Sequence, residues 1–217
     1  MKPARNIILW TVLFLLPAHL SLAADDDFVE IIQLDSTIII DLKYATPNNF
    51  VGQVLYDSDR CFLRQVTAER LVRVQRALQK RGLGLKIWDG YRPHSVQFKM
   101  WELVPNPDFV GNPYKGSRHN RGAAVDVTLV DSLGNELEMP TPFDDFTDKA
   151  RRRYKKLPPH ILKNRQILED AMKAQGFIPL TSEWWHFDDP NWKKFKLENI
   201  SIKELAKRVE KKDERNR

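Results

Sequence analysis

The chain has 217 residues, 42% of them hydrophobic and 29% charged, with a formal net charge of +6. That length suits one domain with a single core, and the lone cysteine, Cys61, excludes an internal disulfide. The basic excess lies largely in Lys149 to Lys156 and in the tail, where solvated faces account for it, and nothing resembles a nucleic-acid module.

Residues 1 to 23 read as a secretory signal peptide. Lys2 and Arg5 precede an apolar core, Ile7 to Leu16, and small residues at Ser21-Leu22-Ala23 suit cleavage after Ala23. The core is about half of the roughly 20 residues that span a bilayer, so no stable membrane insertion is expected after cleavage. No cysteine sits at the cleavage point, which argues against a lipoprotein. Loss of Lys2 and Arg5 takes the charge from +6 to +4. The mature chain, 24 to 217, is expected as one domain, secreted or periplasmic, ending in a charged helix.

In chain order, Phe28 to Asp41 predicts two short isoleucine-rich strands around a turn at Asp35-Ser36. Cys61, beside Phe62 and Leu63, reads as a small buried hydrophobe. Thr67 to Arg81 predicts a helix capped by Thr67 and ended by Gly82, with Leu71, Val74 and Leu78 on its buried stripe. Leu83 to Trp88 predicts a strand running into Asp89-Gly90-Tyr91-Arg92-Pro93, and Ser95 to Leu103 a helix. Ala123 to Val130 alternates Val125, Val127 and Leu129 against Ala124, Asp126 and Thr128, so Asp126 points away from the valines. Glu136 to Met139 is expected to pair back as a hairpin. Asn164 is placed to cap a helix ended by Gly176, with Ile167, Leu168, Ala171 and Met172 buried. Phe177 to Thr181 predicts a strand leading into Ser182-Glu183-Trp184-Trp185-His186, and 200 to 217 a charged helix.

The chemistry concentrates in Ser117-Arg118-His119-Asn120-Arg121-Gly122-Ala123-Ala124-Val125-Asp126. A carboxylate inside an apolar run is costly to bury without a partner. His119, Asp126 and His186 together make two imidazoles and one carboxylate, a recurrent catalytic zinc set with a fourth position open to water. Glu183, three residues before His186, is placed to move a proton. In a regular strand those two residues face opposite ways, so the chain must bend at Trp184-Trp185. Arg92, in a Gly/Pro-bounded turn, would complete such a site by stabilising an oxyanion. Each residue singly has an ordinary structural explanation; the joint pattern favours a site. His94 and His160 are read as surface histidines, and the two tryptophans as core or pocket wall.

Ser117-x-His119-x-x-Gly122-x-Ala124-x-Asp126 followed by Glu183-x-x-His186 resembles the D-alanyl-D-alanine dipeptidases of the vancomycin-resistance type, in peptidase family M15. Asp89-x-Tyr91-Arg92-Pro93, Tyr44-Ala45-Thr46 and Asn49-Phe50-x-Gly52 fit the same family. The resemblance implies an α+β fold of the Hedgehog/DD-peptidase kind, a central antiparallel sheet with flanking helices. It implies one Zn2+ per chain on His119, Asp126 and His186, Glu183 as general base and Arg92 at the transition state. It further implies that Ser117, Tyr44 and Asp144 contact a small dipeptide substrate, with Asp145 the neighbouring alternative for Asp144. The vancomycin-resistance dipeptidases act in the cytoplasm, whereas an exported chain would meet dipeptide or peptide ends outside it, in wall turnover or scavenging. Two alternatives stay open: a D,D-carboxypeptidase trimming peptidoglycan stems, and a zinc-stabilised binding module without turnover. The oligomeric state is open as well.

Overall fold

The computed structural model describes residues 27–107 and 109–215, so the leader stretch, 1 to 23, lies outside the described residues. Its centre is a long strand, β5 (Ala124–Asp131), in which every residue but the last is buried. The strands in chain order are β1 (Phe28–Glu30), β2 (Ile39–Ile40), β3 (Phe62–Arg64), β4 (Leu83–Asp89), β5, β6 (Ile178–Pro179) and β7 (His186–Asp188). Five of them form one sheet in the order β2-β4-β5-β7-β6, and β1 pairs with β3 in a second, two-stranded sheet. The main sheet is antiparallel except at its β2–β4 edge, which is parallel. The expected α+β class is thus present, with one parallel pair added.

The helices are α1 (Ile31–Leu34), α2 (Gln65–Gln79), α3 (His94–Leu103), α4 (Pro159–Ala174) and α5 (Ile202–Arg215). Leu71, Val74 and Leu78 of α2 join Leu168 and Met172 of α4 in the core cluster with Leu85, Ile87, Val125, Val127 and Leu129 of the sheet. Burial of such side chains is worth roughly 1.5–3 kcal/mol each, and it seals one sheet face. The other face, carrying Asp126 and Thr128, is left for polar chemistry. Cys61 lies in the core, where burial pushes its thiol up. Among the described residues, no helix is long and apolar enough to cross a membrane.

Several local expectations give way to tertiary contacts. The isoleucine-rich start holds two strands, but they do not form a hairpin. A helical turn, α1, separates them, and they pair with β3 and β4. Helix α2 starts two residues before Thr67, which is buried within it; Arg64 takes the N-cap position. Helix α4 starts at Pro159, where the missing N–H costs nothing. Asn164 is therefore inside the helix, and its amide donates to the Glu138 carbonyl. The stretch expected to pair back is reduced to a Val130–Glu136 bridge with a Leu137 N–H bond to Leu129. Residues 177–181 contribute only a two-residue strand. Helix α5 is charged outside, but Ile202, Leu205, Ala206 and Val209 are buried.

The turn before β5 depends on Gly122, whose φ of 66° lies in the left-handed region. A Cβ there would come within 2.4 Å of the Phe28 ring. Gly122→Ala is expected to destabilise the fold by about 2–4 kcal/mol, seen as a lower urea midpoint with an unchanged slope.

Candidate active site

Three strands put their polar residues into one row. Asp126 on β5 pairs with His186 on β7 and with Asp89 on β4. Asp89 reaches this row through a β-bulge: Ile87 opposes Val127, yet Asp89 opposes Asp126, so Trp88 is the extra residue. Without the bulge, Asp89 would share a face with Ile87 and point into the apolar core. The bulge turns it to the site instead.

His119 comes from a short 3-10 turn, His119–Arg121, just before β5. Buried Asn120 fixes that turn: its side chain accepts from Ser117 N–H at 2.7 Å and donates to the Arg92 carbonyl at 2.9 Å. The Ser117 hydroxyl accepts from His119 N–H at 3.2 Å. The bend required between Glu183 and His186 is present, since β7 starts only at His186. It is tied down from outside. Trp184 N–H donates to the Ala150 carbonyl at 3.0 Å, and Val127 N–H donates to the Trp185 carbonyl at 3.1 Å. Arg152 donates to the carbonyls of Leu180 and His186, both at 2.6 Å.

The two imidazoles are oriented by outer partners. His119 Nδ1 lies 2.8 Å from the Gly90 carbonyl, which can only accept, so Nδ1 carries the proton and Nε2 is a bare lone pair. His186 Nε2 lies 2.9 Å from Asp188 Oδ1, which leaves its Nδ1 facing inward. The inward atoms form a triangle: His119 Nε2 to His186 Nδ1 is 3.1 Å, His186 Nδ1 to Asp126 Oδ1 is 3.0 Å, and His119 Nε2 to Asp126 Oδ2 is 3.4 Å. All three residues are buried. Two imidazole nitrogens and a carboxylate so close together need positive charge among them, a proton or a metal cation. Ligand bonds of about 2.0–2.1 Å in a tetrahedron place ligand atoms about 3.3 Å apart, so the donor set and its spacing fit zinc.

The surroundings favour positive charge at this point. Burial works against ionisation of Asp126, but the His119 and His186 rings overcome it and hold the carboxyl below the usual range. Burial also opposes charge on His186, yet Asp126 and Asp188 raise its imidazole to about 10.

Around the triangle lies a cleft of about 170 Å³, lined in part by Tyr44, Arg92, Ser117, Asp144 and Glu183, all expected from the sequence. Glu183 Oε2 is 3.9 Å from His186 Nδ1, and about a third of its side chain (34%) is open. Burial raises its carboxyl above the ordinary value; His186 opposes that rise and Asp126 adds to it. Arg92 is buried, with Nη2 2.5 Å from Asp89 Oδ2 and Nη1 2.8 Å from Gln97 Oε1. Tyr44 donates to the Asp144 carboxylate at 3.0 Å. Asp144 adopts a φ of 56°, uncommon for a residue with a side chain. Burial, and next Asp126, raise its carboxyl. Asp145 instead accepts from Thr147 N–H at 2.8 Å, and of the two neighbours it is Asp144 that lines the cleft.

A family model described as D-Ala-D-Ala dipeptidase, peptidase M15, matches residues 24–203. The chain belongs to this family. The D-alanyl-D-alanine dipeptidase of Escherichia coli (strain K12) is 35% identical over 164 residues, 76% of this chain and 85% of that protein. The D-alanyl-D-alanine dipeptidase of Enterococcus faecium is 30% identical over 174 residues, 69% of this chain and 86% of that protein. A solved VanY D,D-pentapeptidase from a vancomycin-resistance cassette, in complex with Zn(II), aligns over 71% of this chain and 82% of its own at 14% identity and a TM-score of 0.41.

In this M15 peptidase, Gln97, Arg118 and Asp188 stand at the site without a role expected from the sequence, and Asp89 enters there only as part of the Asp89-x-Tyr91-Arg92-Pro93 motif. Asp188 had a usable signal, because positions 186 and 188 share one strand face. The orientation of Asp89 had none, since a bulge decides it, and Gln97 is brought in by helix α3. His160 is exposed, as expected, and pairs with Glu138. His94 is half-buried rather than on the surface, with Nε2 2.7 Å from the Pro113 carbonyl. Trp184 and Trp185 are both buried, and Trp185 lines the cleft. Asp188→Asn removes the carboxylate that orients His186, so zinc affinity should fall by about 10–100-fold, measured by competition with a chromogenic chelator.

Proposed function

We propose that this chain is an exported, zinc-dependent dipeptidase that hydrolyses free D-alanyl-D-alanine. The reading is carried by one observation, the buried cluster of two imidazole nitrogens and the Asp126 carboxylate, with contacts of 3.0–3.4 Å, and a further carboxylate, Glu183, beside it. The names of the relatives point to the same substrate.

His119, Asp126 and His186 would hold the ion. When bound, zinc polarises a carbonyl and brings the pKa of water from 15.7 toward roughly 7. Glu183 takes the proton from the attacking water as its oxygen bonds to the scissile carbonyl carbon. It then delivers that proton to the amide nitrogen as the C–N bond breaks, releasing two molecules of D-alanine. Arg92 keeps free N–H donors beside the bonds it makes to Asp89 and Gln97, and directs them at the oxygen that gains charge. Asp144, steadied by Tyr44, meets the ammonium of a free dipeptide; a neighbouring cation lowers the carboxyl that burial has raised. A carboxylate at that end favours a free amino group over the acylated one of a longer stem. Export follows from the leader at residues 1 to 23, and the physiological setting is wall turnover or scavenging.

Mature, zinc-loaded protein should cleave D-Ala-D-Ala and leave the amino-blocked dipeptide intact, and chelator should stop the reaction. Glu183→Gln should lower kcat by at least about 100-fold while zinc stays bound at one ion per chain. Cleavage of the blocked dipeptide as well would make the chain a D,D-carboxypeptidase. Full zinc occupancy with neither substrate cut would sink the hydrolase reading for these substrates.

A further inference from the structure

The stretch that carries Glu183 is a loop whose neck is spanned by a single side chain. Leu180 and His186 stand three residues to either side of Glu183. The Leu180 N–H donates to the His186 carbonyl at 3.2 Å, which brings the two ends together and leaves Glu183 at the tip. Arg152 bridges that neck. Its Nε donates to the Leu180 carbonyl and its Nη2 to the His186 carbonyl, both at 2.6 Å, while its backbone N–H donates to the Thr181 carbonyl at 3.1 Å. The guanidinium lies 4.2 Å from the centre of the Phe187 ring, a contact that fixes its plane. Glu183 has no such support of its own. The polar contact of its carboxylate among the described residues is the 3.9 Å approach of Oε2 to His186 Nδ1. The backbone of the loop therefore decides where that carboxylate stands.

Arg152 is costly to bury. It is 8% exposed, and its Nη1 is buried without a hydrogen-bond partner, 3.6 Å from Glu169 Oε2. An incompletely paired cation inside a protein works against folding, so its presence asks for another reason. A planar fork that reaches two carbonyl oxygens at a fixed separation supplies one, because a lysine cannot hold both in one geometry. We propose that Arg152 is the positioning residue of the proton-moving carboxylate: by clasping both ends of the 180–186 loop it keeps Glu183 within reach of the attacking water. The assignment rests on the dipeptidase reading above and adds to it a group that touches neither substrate nor metal. Proton transfer needs a heavy-atom separation of about 2.6–3.2 Å, and a displacement of about 1 Å costs about a hundredfold in rate.

The test uses mature, zinc-loaded protein and three variants. Arg152→Met keeps the stem and loses the fork, Arg152→Lys keeps the charge, and Arg152→Ala leaves room for added ethylguanidinium. Arg152→Met should lower kcat for D-Ala-D-Ala by about tenfold to a hundredfold, with KM within about twofold of wild type. Arg152→Lys should lie in between. Ethylguanidinium at a non-denaturing concentration should restore part of the kcat of Arg152→Ala and do nothing for Arg152→Met, whose side chain fills the site. Zinc should stay bound in every variant. In the metal-free proteins, amide exchange at Leu180 and Trp184 should speed up by about tenfold in Arg152→Met while β4 stays protected, whereas a general loss of stability would release both. An Arg152→Met enzyme that folds, holds zinc and keeps the wild-type kcat would overturn the proposal. So would losses that follow zinc release, exchange that rises equally in β4, or an Arg152→Ala kcat that ethylguanidinium leaves unchanged. A wild type that holds zinc but does not cleave the dipeptide would remove the dipeptidase reading itself, and this assignment with it.

Discussion

Two imidazole nitrogens and the two oxygens of the Asp126 carboxylate converge, with contacts of 3.0–3.4 Å, inside a buried pocket, and much of the molecule is arranged so that they must. Left to themselves, three acceptor atoms would separate, because none can bond another without a shared positive charge. They are held from behind instead. Gly90 and Asp188 take up the outer nitrogens of the two rings, so each ring can present only its inner nitrogen. That support is the general condition for a metal site with a defined geometry.

The support in turn depends on the sheet. Asp89, Asp126 and His186 stand in one row because β4, β5 and β7 are in a particular register, and because a bulge at Trp88 turns Asp89 over. The apolar face beneath, packed by α2 and α4, makes that register costly to change, since a one-residue slip would exchange the two faces. Core packing and catalytic geometry are therefore one constraint: the valines of β5 hold its aspartate in place.

The cleft carries charge of both signs. Asp144 and Glu183 line it with Asp126, and burial raises the carboxyls of the first two. Arg92, which also lines it, is paired with Asp89.

Much of this site is legible in residue spacing. His119, Asp126 and His186 are of the residue types a zinc site needs. The alternation in 123 to 130 puts Asp126 opposite the valines, and the 183–186 interval by itself demands a bend if both side chains are to meet. Tyr44, Ser117 and Asp144 follow from family resemblance rather than from spacing, and the cleft brings all three together with Arg92. What the sequence could not disclose is what non-local contacts decide. The bulge at Trp88 depends on the pairing of two strands. The bend at Trp184-Trp185 is held by Arg152 and Ala150, about 30 residues away. The strands near residue 30 pair with β3 and β4 rather than with each other, because partners are chosen by burial on both sides and not by the local turn. Local pattern determined which residues could do the chemistry; the packed sheet determined which atoms face the metal site and which groups stand behind them, because both depend on strand pairing between segments far apart in the chain.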